Sequence, residues 1–198
     1  PPHFVFTPQI SQYLQTIEGC KQVIDSFDVP VEIETNIRRA ATLKSSLFSA
    51  RIEGNPLTLD QLAHRSSSDQ KKKEVFNILK AINLIQARAA RDLSLKDLLQ
   101  YHELVMNGLI EKDNLGYFRR EASAIFNASG IAIYLSPPPR QIQSLAIRLL
   151  SFVNSEKEQF VPVRACLAHY VFEKIHPFLD GNGRVGRLLI QAVLQKGG

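Results

Sequence analysis

Apolar residues recur three and four positions apart along most of this chain, and several such stretches end at a glycine or a proline. That period belongs to helices, so the chain is expected to be mainly α. Ile33, Ile37, Ala41, Phe48 and Ile52 follow it, and their stretch stops at Gly54-Asn55-Pro56, where proline forbids continuation. Thr58 with Gln61 three residues on reads as a capping box that restarts a helix. A long amphipathic helix is expected over 73–92, with Val75, Ile78, Leu79, Ile82 and Ile85 on one side. Another is opened by Ser94 and runs to Ile110. After Gly116 the period changes. Ala124-Ile125-Phe126, the turn residues Asn127 to Gly130, and Ile131 to Leu135 predict a β-hairpin. Pro137, Pro138 and Pro139 close it, since they cannot sit in a central strand. Helices are expected again over 141–154 and 161–175, and a last one from the glycines at 181–183 through Leu194. No internal repeat and no βαβ unit is visible. The expected fold is an all-α bundle, in the main, with one inserted hairpin.

The sequence 181–186, Gly-Asn-Gly-Arg-Val-Gly, also fits the GxGxxG of dinucleotide-binding folds. That fingerprint needs a strand before it and an acidic residue about 20 positions after it. Here the preceding stretch is helical, with Ala165, Ala168, Phe172 and Ile175 in register, and the chain ends first. A phosphate-binding loop of the Gly-Lys-Ser/Thr type is absent as well. The chemistry lies in the neighbours of the glycines. Gly181, Asn182 and Gly183 form a turn into a helix N-terminus, where backbone N–H groups and the helix dipole favour an anion. Arg184 and Arg187 share a face near that positive end, an unfavourable place for two cations unless an anion compensates them. Asp180 with phosphate oxygens could hold Mg²⁺. His176 has the right chemistry for a general base near pH 7. Taken singly, each has a plainer reading, as helix cap, turn residue or surface cation.

The sequence HPFLDGNGRVGR, residues 176–187, resembles the signature HxFx[DE]GNGRxxR of the Fic family and matches all its fixed positions. GYFRR at 116–120 with the following hairpin is similar to the family's flap, and LAHYVFEKI to the helix that leads into the motif. The resemblance implies a protein adenylyltransferase that moves AMP from ATP to a Tyr, Ser or Thr hydroxyl of a target protein. It implies His176 as the base, Phe178 as a core anchor, Asp180 on Mg²⁺, Gly181, Asn182 and Gly183 as the phosphate cradle, and Arg184 and Arg187 on the β- and γ-phosphates. SARIEGN at 49–55 resembles the family's inhibitory motif [ST]xxxE[GN], with Ser49, Glu53 and Gly54 at its fixed positions. It implies that Glu53 pairs with Arg187 and blocks productive ATP binding. The implied organisation is an N-terminal helical region, 1–92, with the inhibitory helix at about 31–54. A Fic core follows at 93–198, with the flap at about 116–139, the catalytic loop at 176–187 and a C-terminal end cut short. Target docking on the flap by strand addition is implied too. Three alternatives stay open: a nucleotide-sensing module without transfer, another donor such as UMP or phosphocholine, and removal of AMP as well.

The 198 residues are 44% apolar and 22% charged, enough for one well-buried core. The net charge of +5 suits a phosphate ligand, and the basic run at 71–73 reads as an exposed helix start, so nucleic acid is not expected as a partner. Cys20 and Cys166 have no paired spacing and read as buried thiols in a reducing, cytoplasmic setting. No signal peptide and no membrane span is read, and the start without Met suggests a processed or trimmed form. His3, His64, His102 and His169 read as structural, and His169 and Tyr170 are placed to support the loop. Self-association into a homo-oligomer is kept open.

Overall fold

Helix ends fall where the chain supplies its capping residues. The computed structural model describes residues 3–64, 70–89, 91–155 and 157–197. Its elements are α1 (Pro8–Asp25), α2 (Val31–Ile52), α3 (Leu59–His64), α4 (Gln70–Ala87), α5 (Leu95–Met106), β1 (Ala124–Phe126), β2 (Ala132–Leu135), α6 (Pro139–Asn154), α7 (Val161–Ile175) and α8 (Asn182–Gly197). Ser94 and Asp97 form a full capping box at the start of α5. Thr58 and Gln61 exchange backbone-to-side-chain bonds at 3.2 and 3.3 Å ahead of α3. Pro139 and Pro162 sit in the first turns of α6 and α7, where a missing N–H costs nothing. The hairpin pairs antiparallel, with Ala124 opposite Leu135 and Ile125 opposite Tyr134.

α7 and α8 pack along each other, and α4 lies against α2, α5 and α8. Val75, Ile78, Leu98, Phe172, Phe178 and Leu188 are essentially inaccessible in the core between them. Phe178 thus anchors the 176–187 segment in the core, whereas Leu179 and Asp180 beside it are exposed. Among the described residues, no helix is long and apolar enough to cross a membrane.

Four expectations need correction. α1 is an additional 18-residue helix, capped by Thr7 and started by Pro8, yet it buries no residue. α2 presents a different face from the one its apolar spacing suggests. Ile33, Ile37, Phe48 and Ile52 are exposed, and Thr42, Ser46, Leu47, Ser49 and Ala50 pack inward. Small and hydroxyl side chains let α2 approach α4 and α8 closely, which a stripe of isoleucines would prevent. α5 stops at Met106, short of Ile110. The Asn77 amide takes the carbonyls of Val105 and Asn107 at 3.3 and 2.9 Å, and Gly108 turns the chain at φ +69. Both cysteines are exposed. Cys20 lies on α1, which buries nothing, and Cys166 faces away from its buried neighbours Ala165 and Leu167. His3 is exposed too, and the side chain of His64 lies outside the described residues.

Candidate active site

α7 ends at Ile175, and His176 caps it in the left-handed region, φ 47 and ψ 60. A non-glycine residue there is uncommon and must be held in place. Several bonds hold it. Asn182, 3% exposed, closes the loop on itself: its Oδ1 accepts from Phe178 N and its Nδ2 donates to Phe178 O, both at 2.9 Å. The Phe178 ring stacks on His102 with centroids 3.9 Å apart. Gly116 N donates to His102 Nδ1 at 3.0 Å, so Nε2 carries the proton, and it lies 3.1 Å from the Asp180 carbonyl. Burial pushes the His102 pKa down to about 4, which keeps this neutral tautomer at pH 7. Gly181 sits at φ +82 against α5, and a Cβ there would come 2.6 Å from Met106 Sδ. Only glycine satisfies both the dihedral and the space.

Arg119 ties the hairpin to the same loop. Its Nε donates to His176 O at 2.7 Å, Nη1 to Glu121 O at 2.6 Å and Nη2 to Pro137 O at 2.7 Å. The Arg119 amide donates to Pro177 O at 2.9 Å. Burial lowers the Arg119 pKa from its ordinary value. Burial also lowers the pKa of His176; the Glu173 carbonyl opposes this, Arg119 adds to it, and Asp180 opposes it. His176 is thus a neutral imidazole at pH 7, able to accept a proton. Its Nδ1 is buried on the side of the Glu173 carbonyl, which leaves Nε2 as the nitrogen for proton transfer. On the hairpin, Tyr134 rests on Lys174, whose Nζ is 3.9 Å from the ring centre.

The two arginines of α8 end on separate carboxylates. Arg187 Nε donates to Ser49 Oγ at 2.9 Å, and Nη2 reaches Ser49 O at 3.0 Å and Glu53 Oε1 at 2.7 Å. Gly54 follows at φ +90, so the chain turns sharply just beyond Glu53. The Glu53 carboxylate also lies over the turn: a Cβ on Gly183 would come within 2.5 Å of Glu53 Oε1. It therefore lies over the N-terminus of α8, where the helix dipole favours a negative charge. Arg184 points elsewhere. Its Nη1 donates to Glu74 Oε1 at 2.6 Å and its Nη2 to Asp180 Oδ1 at 3.1 Å. The anion expected between the two arginines is thus replaced by protein carboxylates, one set for each.

The site brings together Ser49, Glu53, Gly54, His176, Asp180, Gly181, Asn182, Gly183, Arg184 and Arg187, but gives Asn182 a different task. Its side chain is fully engaged with Phe178, so only its backbone faces the turn. Asp180 is 58% exposed and its Oδ2 has no hydrogen bond among the described residues. No group of three or more His, Cys, Asp or Glu that could hold a metal occurs among the described residues. Asp180 fits a magnesium ion bound mainly by phosphates and water, not a closed metal cage. Glu74, His102 and Arg119 are functional supports that the spacing of motifs did not point to. Gly186, the third glycine of GxGxxG, packs against His169 and Glu173 of α7, where a side chain would collide.

Residues 92–194, just over half of the chain, match the model of the Fic/DOC family. The chain is 30% identical over 197 residues to a protein adenylyltransferase Fic of Drosophila yakuba, covering 93% of this chain and 38% of that protein. It is 33% identical to the Drosophila melanogaster protein of the same name, over 92% of this chain and 39% of the relative. It thus spans about two fifths of the length of these curated relatives. Among solved structures, a Fic family protein of Desulfovibrio desulfuricans superimposes with a TM-score of 0.80 at 30% identity, covering 98% of this chain and 59% of the other. A Fic domain containing signaling protein of Bacteroides thetaiotaomicron also gives 0.80, at 20% identity, over 93% of this chain and 73% of that one; this likeness concerns the fold alone.

Proposed function

The chain belongs to the Fic/DOC family, and from that premise we propose that it transfers AMP from ATP to a hydroxyl side chain of a target protein, and that Glu53 holds the transfer in check. The observation that carries this reading is the 2.7 Å pair between Glu53 and Arg187, laid over the Gly181–Gly183 turn. A carboxylate there competes with a phosphate for the same guanidinium and the same helix N-terminus. Relatives named protein adenylyltransferase support AMP as the transferred group.

In the step itself, the target hydroxyl oxygen bonds to the α-phosphorus. The bond from that phosphorus to the oxygen bridging the β-phosphate breaks, and pyrophosphate leaves. The hydroxyl proton goes to His176 Nε2. The αL cap and the bond from Arg119 to the His176 carbonyl hold the backbone that carries that imidazole. The amides of the turn and Arg187 hold phosphate oxygens. A magnesium ion on Asp180 would neutralise phosphate charge when bound. Most of the rate gain in such transfers comes from positioning and charge stabilisation, which suits a site built of backbone and arginines. A target segment would lie along the hairpin by main-chain pairing.

Glu53→Gly should raise transfer of label from ATP carrying it at the α-phosphate, onto the protein itself or onto a target in lysate. Adding His176→Ala to that variant should remove the gain. Equal labelling by wild type and Glu53→Gly sinks the autoinhibition, and no labelling by either sinks the transfer.

A further inference from the structure

Glu53 stands in an awkward place for an inhibitor. It is the C-cap of α2, beyond the last full helical turn, and a carboxylate at a helix C-terminus faces the negative end of the macrodipole. Terminal residues also fray unless something ties them down. Immediately after it Gly54 turns the chain. The tie lies one residue further on. Asn55 is 6% exposed. Its backbone N–H bonds Ala50 O at 3.1 Å, and its Oδ1 accepts from Leu57 N at 3.1 Å. Its Nδ2 donates to two acceptors of α4, Lys71 O and Glu74 Oε2, both at 2.8 Å. Glu74 then carries Arg184 on its other oxygen, at 2.6 Å, and Arg184 reaches Asp180.

A chain of bonds, Asn55–Glu74–Arg184–Asp180, buried as far as Arg184 and open at Asp180, therefore runs beside the half-open pair Glu53–Arg187. One end is fixed to the turn that bears Glu53. The other is fixed to the first turn of α8, which bears Arg187 one helical turn on. We propose that Asn55 and Glu74 are positioning residues of the nucleotide site: they set the register of the Glu53 turn against α8 and thereby hold Glu53 on Arg187. This rests on the reading of Glu53 as the inhibitory group. It assigns inhibition to a unit of two parts, a carboxylate that competes with phosphate and an asparagine–glutamate clip that delivers it. Glu74 needs both oxygens for this: one accepts from Arg184, the other from Asn55. A residue of the same size with one acceptor cannot serve both.

The test is a double-mutant cycle. Asn55→Ala is made in the wild-type and Glu53→Gly proteins, and ATP affinity by calorimetry and label transfer are measured in all four. In the wild-type background Asn55→Ala should tighten ATP binding and raise transfer by about tenfold, as expected for loss of a bond to a charged group. In the Glu53→Gly background it should change neither, because there is no Glu53 left to deliver. Glu74→Gln should raise transfer more in the protein that keeps Glu53 than in Glu53→Gly, since the amide keeps an acceptor for Arg184 and turns a donor toward Asn55 while its loss of charge beside Arg184 acts equally in both backgrounds. Equal losses in both backgrounds, or no change in either, overturn the proposal. ATP affinities that follow the cycle without any label transfer sink the transfer reading and leave the clip standing. Melting curves identify a variant that has lost its fold, and Glu74→Gln then carries the test.

Discussion

Arg184 and Arg187 lie one turn apart on α8, and both end on carboxylates supplied by the N-terminal half of the chain. Their surroundings differ. Arg184 and Glu74 are 8% and 13% exposed, with Asp180 and Asn55 completing the set. Arg187 and Glu53 are 21% and 29% exposed and face the mouth of the phosphate turn. A buried pair is costly to break from one side, because the remaining charge has no water to turn to. A half-open pair can exchange one anion for another. On the proposed reading the two arginines of the motif divide the work, one as a strut and one as a latch.

The largest effect that could break this division is on stability. Arg184→Ala leaves the Glu74 carboxylate buried and unpaired, a cost of about 3–5 kcal/mol. For a chain of this size that is a fall in melting temperature of roughly 10 °C. Arg187→Ala leaves Glu53 near solvent and should shift melting by about 2 °C or less, yet ATP binding should be lost. If thermal scans show equal falls for the two variants, strut and latch are one structure.

The next effect is kinetic and follows the latch. Glu53→Gly should raise transfer by about tenfold or more, the gain from removing a charged competitor. His176→Ala in that background should lower it by about 10²–10⁴-fold, the usual weight of a general base. Salt offers a milder probe. Raising ionic strength screens the half-open pair more than the buried one, so the ratio of Glu53→Gly to wild-type activity should shrink as salt rises.

The family motif was readable because it is local. His176, Asp180, the glycines and both arginines fall within 12 consecutive residues, and helix ends announced themselves through Thr58, Ser94 and the prolines. What could not be read was which face of a helix turns inward. The apolar spacing of α2 pointed to Ile33 and Ile37, but the packing uses Ser46, Ser49 and Ala50, because the approach of Ser49 to Arg187 demands small side chains. α1 is a different case: Ile10, Tyr13, Leu14 and Ile17 fall at helical spacing, yet the helix buries none of its residues. Glu74, Asn55, His102 and Arg119 reach the site through partners far away in sequence, Arg184, Glu74, Asp180 and His176, and no short window along the chain contains both members of those pairs.

The smallest effect, and the most direct link between the latch and its surroundings, concerns Glu173. Its carboxyl sits beside Gly186, with Oε1 buried and without a hydrogen bond. Burial raises its pKa to about 7, Arg187 lowers it, and Glu53 raises it. From α7 itself it faces His169, at 3.8 Å, whose own pKa burial depresses. A carboxyl raised in the fold binds more protons folded than unfolded between its ordinary value of 4.5 and about 7. Its contribution to stability is therefore full below pH 4.5 and lost as pH rises through about 7. His102 works the other way: lowered to about 4, it favours the fold above its ordinary 6.5 and loses that contribution as pH falls toward 4. Glu173→Gln should remove only the first slope, so its advantage over wild type should grow from pH 5 to pH 8 by roughly 2–3 kcal/mol. In Glu53→Gly the field of Arg187 acts on Glu173 without its counterweight, and the same window should move to lower pH. A stability profile that Glu53→Gly leaves unmoved would mean that Glu173 does not sense the latch.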